Sequence, residues 1–143
     1  MAVEFGGTMV RTERGLRAIA ALLALACLAR PVIARQGNPE AAKLKNPVAA
    51  TPESVTAGKQ IFQKRCAPCH GLSAEGGSGS DLIPAAPDLT DKKWDHGSTD
   101  GEIFDSIKNG VPPDFNMTPW RDDLQDPDIW NVVNFLRSIA KSQ

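Results

Sequence analysis

Cys66-Ala67-Pro68-Cys69-His70 sets two thiols three positions apart and an imidazole directly after the second. In that order, C-x-x-C-H is the attachment signal for a covalently bound c-type haem. The thiols add across the vinyl groups as thioethers, and His70 is placed to give the iron its proximal nitrogen. Two other chemistries use paired cysteines. A thioredoxin-like C-x-x-C is expected beside a βαβ pattern, whereas this motif follows a helical one. A structural zinc site wants four ligands. Beyond the N-terminal segment the chain offers only Cys66, Cys69, His70 and His96, two of them adjacent.

The N-terminus has the pattern of an export signal, residues 1–34. Arg11, Arg14 and Arg17 precede twelve apolar residues, Ala18 to Ala29, which Arg30 and Pro31 interrupt. That run is short of the roughly 20 residues a bilayer span needs and suits a signal h-region. Small-residue cleavage sites end at Ala34 or Ala29, and Met9 is an alternative start. An uncleaved helical anchor is the competing reading. Ala26-Cys27 loosely resembles a lipidation box, with Leu25 where a small residue is usual, so a lipid tether at Cys27 stands as a second alternative to removal with the signal. Export to the periplasm agrees with haem attachment, which in bacteria takes place outside the cytoplasmic membrane.

From Arg35 onward the chain carries 12 Lys and Arg against 15 Asp and Glu, a net charge of −3. That balance argues against a nucleic-acid partner and for a soluble protein. About 109 residues make one small domain, with a modest core of its own; a large apolar cofactor would complete it. No transmembrane span is expected in the mature chain, and a monomer is expected.

Residues 35–50 hold Pro39 and Pro47 and little apolar periodicity, and read as a flexible leader. Thr51-Pro52-Glu53 then supplies a cap, a first-turn proline and an early acid. Val55, Gly58, Ile61 and Phe62 follow at helical spacing. Gly58 costs about 1 kcal/mol against Ala in a helix interior, which close approach of another helix would offset. Residues 71–97 are irregular, broken by Gly76-Gly77-Ser78-Gly79-Ser80, Pro84 and Pro87. A cofactor edge would organise so long a loop. Thr99-Asp100-Gly101-Glu102 forms a capping box ahead of Ile103, Phe104 and Ile107, and Asn109-Gly110 stops that helix. A second irregular stretch, 111–125, contains Met117, Pro119 and Trp120. In the last helix Asp126 is expected as cap, Pro127 as first residue and Asp128 as partner of the dipole. Ile129, Val132, Val133, Leu136 and Ala140 make its apolar stripe. No strand is expected, so the fold class is all-α.

Over residues 51–143 the sequence resembles a class I, single-haem c-type cytochrome of the bacterial periplasmic kind. The resemblance implies a small cytochrome c fold, three main helices with long loops wrapped around one covalent haem. In that family the terminal helices cross at a glycine and an aromatic, which Gly58 and Phe62 match; Val132 and Phe135 match the partner positions. Met117, in Met117-Thr118-Pro119-Trp120, matches the family's sixth iron ligand, so His70 and Met117 would be the axial pair. A soft thioether favours ferrous iron and raises the reduction potential. His96 is the rival ligand, expected as an exposed residue of the polar stretch Trp94-Asp95-His96-Gly97-Ser98. Pro87-Asp88-Leu89 resembles the P-x-L segment whose proline carbonyl accepts from the proximal histidine and fixes its orientation; an ordinary loop-breaking proline is the alternative. Trp94 or Trp120 would donate an indole N–H to a haem propionate, or serve packing alone.

The departures lie in charge. The 71–88 loop lacks the basic ring of mitochondrial relatives, and Asp122, Asp123, Asp126 and Asp128 run beside the methionine loop. A partner docking there would carry positive charge. The resemblance implies an electron carrier between periplasmic redox proteins, a dehydrogenase or an oxidase, and not an enzyme, because closed axial positions leave no site for substrate. A dedicated subunit of a dehydrogenase or oxidase complex is the alternative. A haem-based ligand sensor, in which Met117 dissociates, is the alternative from another class.

Overall fold

The computed structural model describes residue 1 and residues 37–77, 84–92 and 94–140. The export segment, with Met9, Cys27, Ala29 and Ala34, lies outside the described residues. Four helices follow a 3-10 turn at Ala41–Lys43: α1 (Pro52–Arg65), α2 (Ala67–His70), α3 (Asp100–Asn109) and α4 (Asp126–Ile139). Among the described residues there is no strand, so the class is all-α as expected. The single turn α2 and the 3-10 turn are additions to the three main helices.

Local signals start and stop these helices. The Thr51 side chain accepts from Ser54 N at 3.3 Å, with Pro52 as first residue of α1. Thr99 and Glu102 close a reciprocal box at α3: Glu102 N donates to Thr99 Oγ1 at 3.2 Å and Thr99 N to Glu102 Oε2 at 3.0 Å. At α4 the cap is Gln125 and not Asp126. Gln125 keeps extended backbone (φ −77°, ψ 156°), and the Asp128 carboxylate reaches back to its N–H at 3.3 Å. Asp126 and Pro127 therefore both lie inside the first turn.

α1 and α4 cross at Gly58. A Cβ there would overlap the Asn131 carbonyl and lie 3.0 Å from Phe135 Cβ. One turn on, the rings of Phe62 and Phe135 meet at 5.3 Å and 52°, in the tilted geometry aromatic pairs prefer. Phe62, Ile129, Val132 and Val133 are all but fully buried around the crossing. Val132 is thus in the core, while the backbone that meets Gly58 belongs to Asn131. α3 joins α4 through the stacked rings of Phe104 and Trp130, 4.0 Å apart.

Residues 37–50, expected as a flexible leader, are packed in this structure. Ala41 is buried on α3, and Asn46 Nδ2 donates to Asn134 Oδ1 at 2.8 Å. Asn134 returns a bond to the Val48 carbonyl at 3.1 Å and one to Ser54 Oγ at 2.8 Å. A buried amide needs such partners, and here the segment before α1 and the first turn of α1 supply them.

Candidate haem site

Helix α1 ends in the cysteine motif. Cys66 N donates to Phe62 O at 2.8 Å, and the Cys66 carbonyl then accepts from both Cys69 N (3.1 Å) and His70 N (2.9 Å). One carbonyl thus winds the motif into a single turn in which Cys66 and Cys69 stand three residues apart, on one face. Cys66, Cys69 and His70 all line one cleft.

Burial pushes the Cys66 thiol up to about 12, and neighbouring Cys69 adds to the rise. Redox-active dithiols need the opposite, a lowered thiol pKa. Zinc fares no better: among the described residues no three His, Cys, Asp or Glu side chains gather as a metal site. The raised thiol tells against a redox dithiol, and the missing third and fourth ligands tell against zinc.

The loop after the motif folds back over His70. Gly71 turns at φ +80°, Gly76 N donates to His70 O at 2.8 Å, and Leu89 N to Ala74 O at 2.8 Å. Gly76 must be glycine twice over. Its φ is +76°, and a Cβ would lie 2.6 Å from the Ala86 carbonyl oxygen and from Pro87 C. That close approach brings Pro87 to the proximal histidine. Burial lowers the His70 pKa and the Pro87 carbonyl partly opposes it, while Nδ1 is buried with no bonded partner of good geometry. The carbonyl thus lies within electrostatic reach of the ring but short of a formed bond. A neutral imidazole is the form that binds a metal.

Met117 reaches the same cleft from the other side of the sequence. Its carbonyl accepts from Val111 N at 2.9 Å, and a Cβ on Gly110 (φ +75°) would lie 2.8 Å from that oxygen. The last turn of α3 holds the loop's far end: Trp120 N donates to Ile107 O at 3.1 Å and Arg121 N to Lys108 O at 3.2 Å. Helix-end carbonyls have no partner within their own helix; here the methionine loop takes that place.

The cleft also takes in Pro87, Trp94 and Trp120. Trp94 Nε1 donates to the Asp91 carbonyl at 3.2 Å, within its own loop. His96, expected on the surface, instead stands half-buried in the cleft wall, alongside Asp95 and Gly97. The loop's polar composition gave no sign of this, because the wall is made by tertiary packing. Ile103, Ile107 and Leu136 contribute apolar lining; the first two were legible as an i, i+4 pair on α3. Arg65, unremarked in the sequence, sits at the rim.

The residues present fit a haem. Apolar walls would take a porphyrin, two thiols stand on one turn for thioether attachment, and an imidazole and a thioether, 47 positions apart in sequence, share the cleft. No helix among the described residues is long and apolar enough to cross a membrane.

Comparison with known proteins agrees with this geometry. The chain is 33% identical over 94 residues to the cbb3-type cytochrome c oxidase subunit CcoP of Rubrivivax gelatinosus, covering 65% of this chain and 28% of that protein. It is 38% identical over 91 residues to the CcoP of Rhodobacter capsulatus, covering 61% and 25%. The chain therefore spans between a quarter and a third of the length of these relatives. Cytochrome cL of Methylophaga aminisulfidivorans superposes with a TM-score of 0.52 at 26% identity, covering 62% of this chain and 57% of that one. Cytochrome cL of Hyphomicrobium denitrificans, at 23% identity, 74% and 65% coverage and a TM-score of 0.53, shows the fold alone. The family described as cytochrome c oxidase, cbb3-type, subunit III matches residues 53–136, from the first turn of α1 almost to the end of α4. That match embraces both helices of the crossing and every side chain of the proposed ligand set, and by it the chain belongs to the cbb3-type cytochrome c oxidase subunit III family.

Proposed function

We propose that this chain is a single-haem electron carrier, exported to the periplasm, with haem c held through Cys66 and Cys69 and with His70 and Met117 as axial ligands. When bound, the haem supplies a one-electron Fe(III)/Fe(II) couple. The chain's own residues do the rest. Cys66 and Cys69 would fix the haem's orientation by two thioether bonds from one helical turn. The Pro87 carbonyl, brought close to the His70 ring, would favour its orientation, and Gly110 lets the Met117 loop close against the end of α3. Apolar side chains from α3 and α4 exclude water, so little has to move when charge changes by one unit.

The observation that carries this reading is the meeting of Cys66, Cys69, His70 and Met117 in one cleft. Electron transfer with no bond-making follows from the closed ligand pair, and no residue is assigned a catalytic role. The test is an optical spectrum of periplasmically expressed protein, oxidised and then reduced, with and without carbon monoxide. Sharp low-spin bands, a sulfur–iron charge-transfer band in the oxidised form and no response to carbon monoxide are expected. A high-spin or carbon monoxide-sensitive spectrum would reject the closed pair in favour of ligand sensing.

A second reading is supported by the relatives, which are named as oxidase subunits. The same domain would then serve one cbb3-type oxidase as a dedicated electron-delivering subunit and not diffuse freely. Co-purification with an oxidase at stoichiometric ratio distinguishes the two.

A further inference from the structure

Residues 37–50 are tied to the domain at both ends. At the near end the 3-10 turn lies directly on the backbone of α3. A Cβ at Gly101 would overlap the Ala41 carbonyl and lie 2.8 Å from Leu44 Cβ. Asn38 Nδ2 adds a bond to Asp105 Oδ2 at 3.0 Å. At the far end Asn46 and Val48 satisfy Asn134, which is only 5% exposed. Losing those bonds would leave the buried Asn134 amide short of partners.

The near end also touches the cleft wall. A Cβ on Gly37 would lie 2.8 Å from Gly97 Cα and overlap the Glu102 carboxylate. Gly97 (φ +90°) presses on the same carboxylate, which accepts Thr99 N at 3.0 Å and Thr99 Oγ1 at 2.8 Å. From α4, Arg137 donates to the Ser98 carbonyl and, at 2.7 Å, to Asp100 Oδ1. Three segments therefore converge on residues 97–100, and the residues just before them, Asp95 to Gly97, form part of the cleft.

We propose that residues 37–50 are a positioning strap, which with Glu102 and Arg137 fixes the Asp95–Gly97 wall of the haem cleft; this rests on the haem reading above. A fixed wall keeps water from the site. Solvent exposure is one of the levers on a haem protein's potential, and access of water favours the more highly charged oxidised state.

The test compares the full haem-loaded chain with Gly101→Val and with the double variant Asn38→Ala/Asn46→Ala. None of these positions lines the cleft. Limited proteolysis reads the strap, the reduction midpoint reads the wall, and carbon monoxide added to the reduced protein reads access. Strap cleavage about fivefold faster or more is expected, the factor for a tie worth about 1 kcal/mol. The midpoint is expected to fall, and carbon monoxide sensitivity to appear or rise. Cleavage that speeds up with an unmoved midpoint and no carbon monoxide response would reduce the strap to a structural tie and overturn the proposal. Unchanged cleavage in both variants would overturn it too. Should Gly101→Val lose its helical circular dichroism, the double variant decides alone. A wild-type protein without covalent haem would bring down the proposed function, and this inference with it, whereas failure of the strap alone shows only in the variants.

Discussion

Met117 and His96 share one cleft, so a single substitution at each decides which side chain reaches the iron. Met117→Ala is expected to abolish the sulfur–iron charge-transfer band and lower the midpoint, since a thioether favours the ferrous state; His96→Ala should leave the band intact. Spectroelectrochemistry on the two variants checks this, and the reverse pattern would make His96 the ligand. Replacing both Cys66 and Cys69 by Ser should remove haem that survives denaturation, read by haem staining of a denaturing gel. The attachment residues were legible because they are contiguous, one helical turn written in five letters. His96 was not, because its place in the wall depends on α3, α4 and the segment before α1. Trp94 is held by a bond of another kind, to the Asp91 carbonyl three residues earlier, a local contact that the sequence alone does not show.

The crossing of α1 and α4 carries the domain's stability, and Gly58 is where it is most exposed to change. Gly58→Val would gain helix propensity yet drive a branched side chain into the Asn131 carbonyl. A net loss of about 1–3 kcal/mol is expected, read as a lower denaturant midpoint with unchanged slope. Phe62, 1% exposed and tilted against Phe135, is a truncation site of the larger kind. Phe62→Ala should cost about 3–5 kcal/mol, measured the same way. This element pair was legible in the sequence because capping residues and apolar spacing are local. Thr51, Thr99 and Gly110 all mark ends where the structure puts them, and the costly glycine at position 58 pointed to the crossing. Two features escaped. Asp126-Pro127-Asp128 looks like a cap sequence in its own right, but the reach-back bond from Asp128 selects Gln125. The strap carries no periodicity, because Asn46 and Val48 are held by Asn134 some 85 positions away.

At the scale of the whole molecule, charge decides what can dock. Residues 35–143 carry a net charge of −3, and among the described residues Asp88, Asp95 and Asp114 line the cleft while Arg65 is its one Lys or Arg. Lys108 does not offset the acidic run near the methionine loop, since its ammonium is already bound by Asp126 at 2.7 Å. On the proposed function an electron would leave or enter where the cofactor edge is nearest the surface, which would set a partner against these carboxylates. Encounter is then steered by opposite charge over about 8 Å at physiological ionic strength, and its rate responds to salt more than its final contacts do. Electron exchange with a small basic redox protein should therefore slow as ionic strength rises, and exchange with an acidic one should quicken. Asp114 is exposed on the rim and lies outside the ligand set. Asp114→Lys should flatten both salt dependences while leaving the midpoint and the optical spectrum in place. Stopped-flow rates across a salt series check this. A variant whose salt slopes equal the wild type's would place docking on another face, one away from the cleft that holds the proposed ligands.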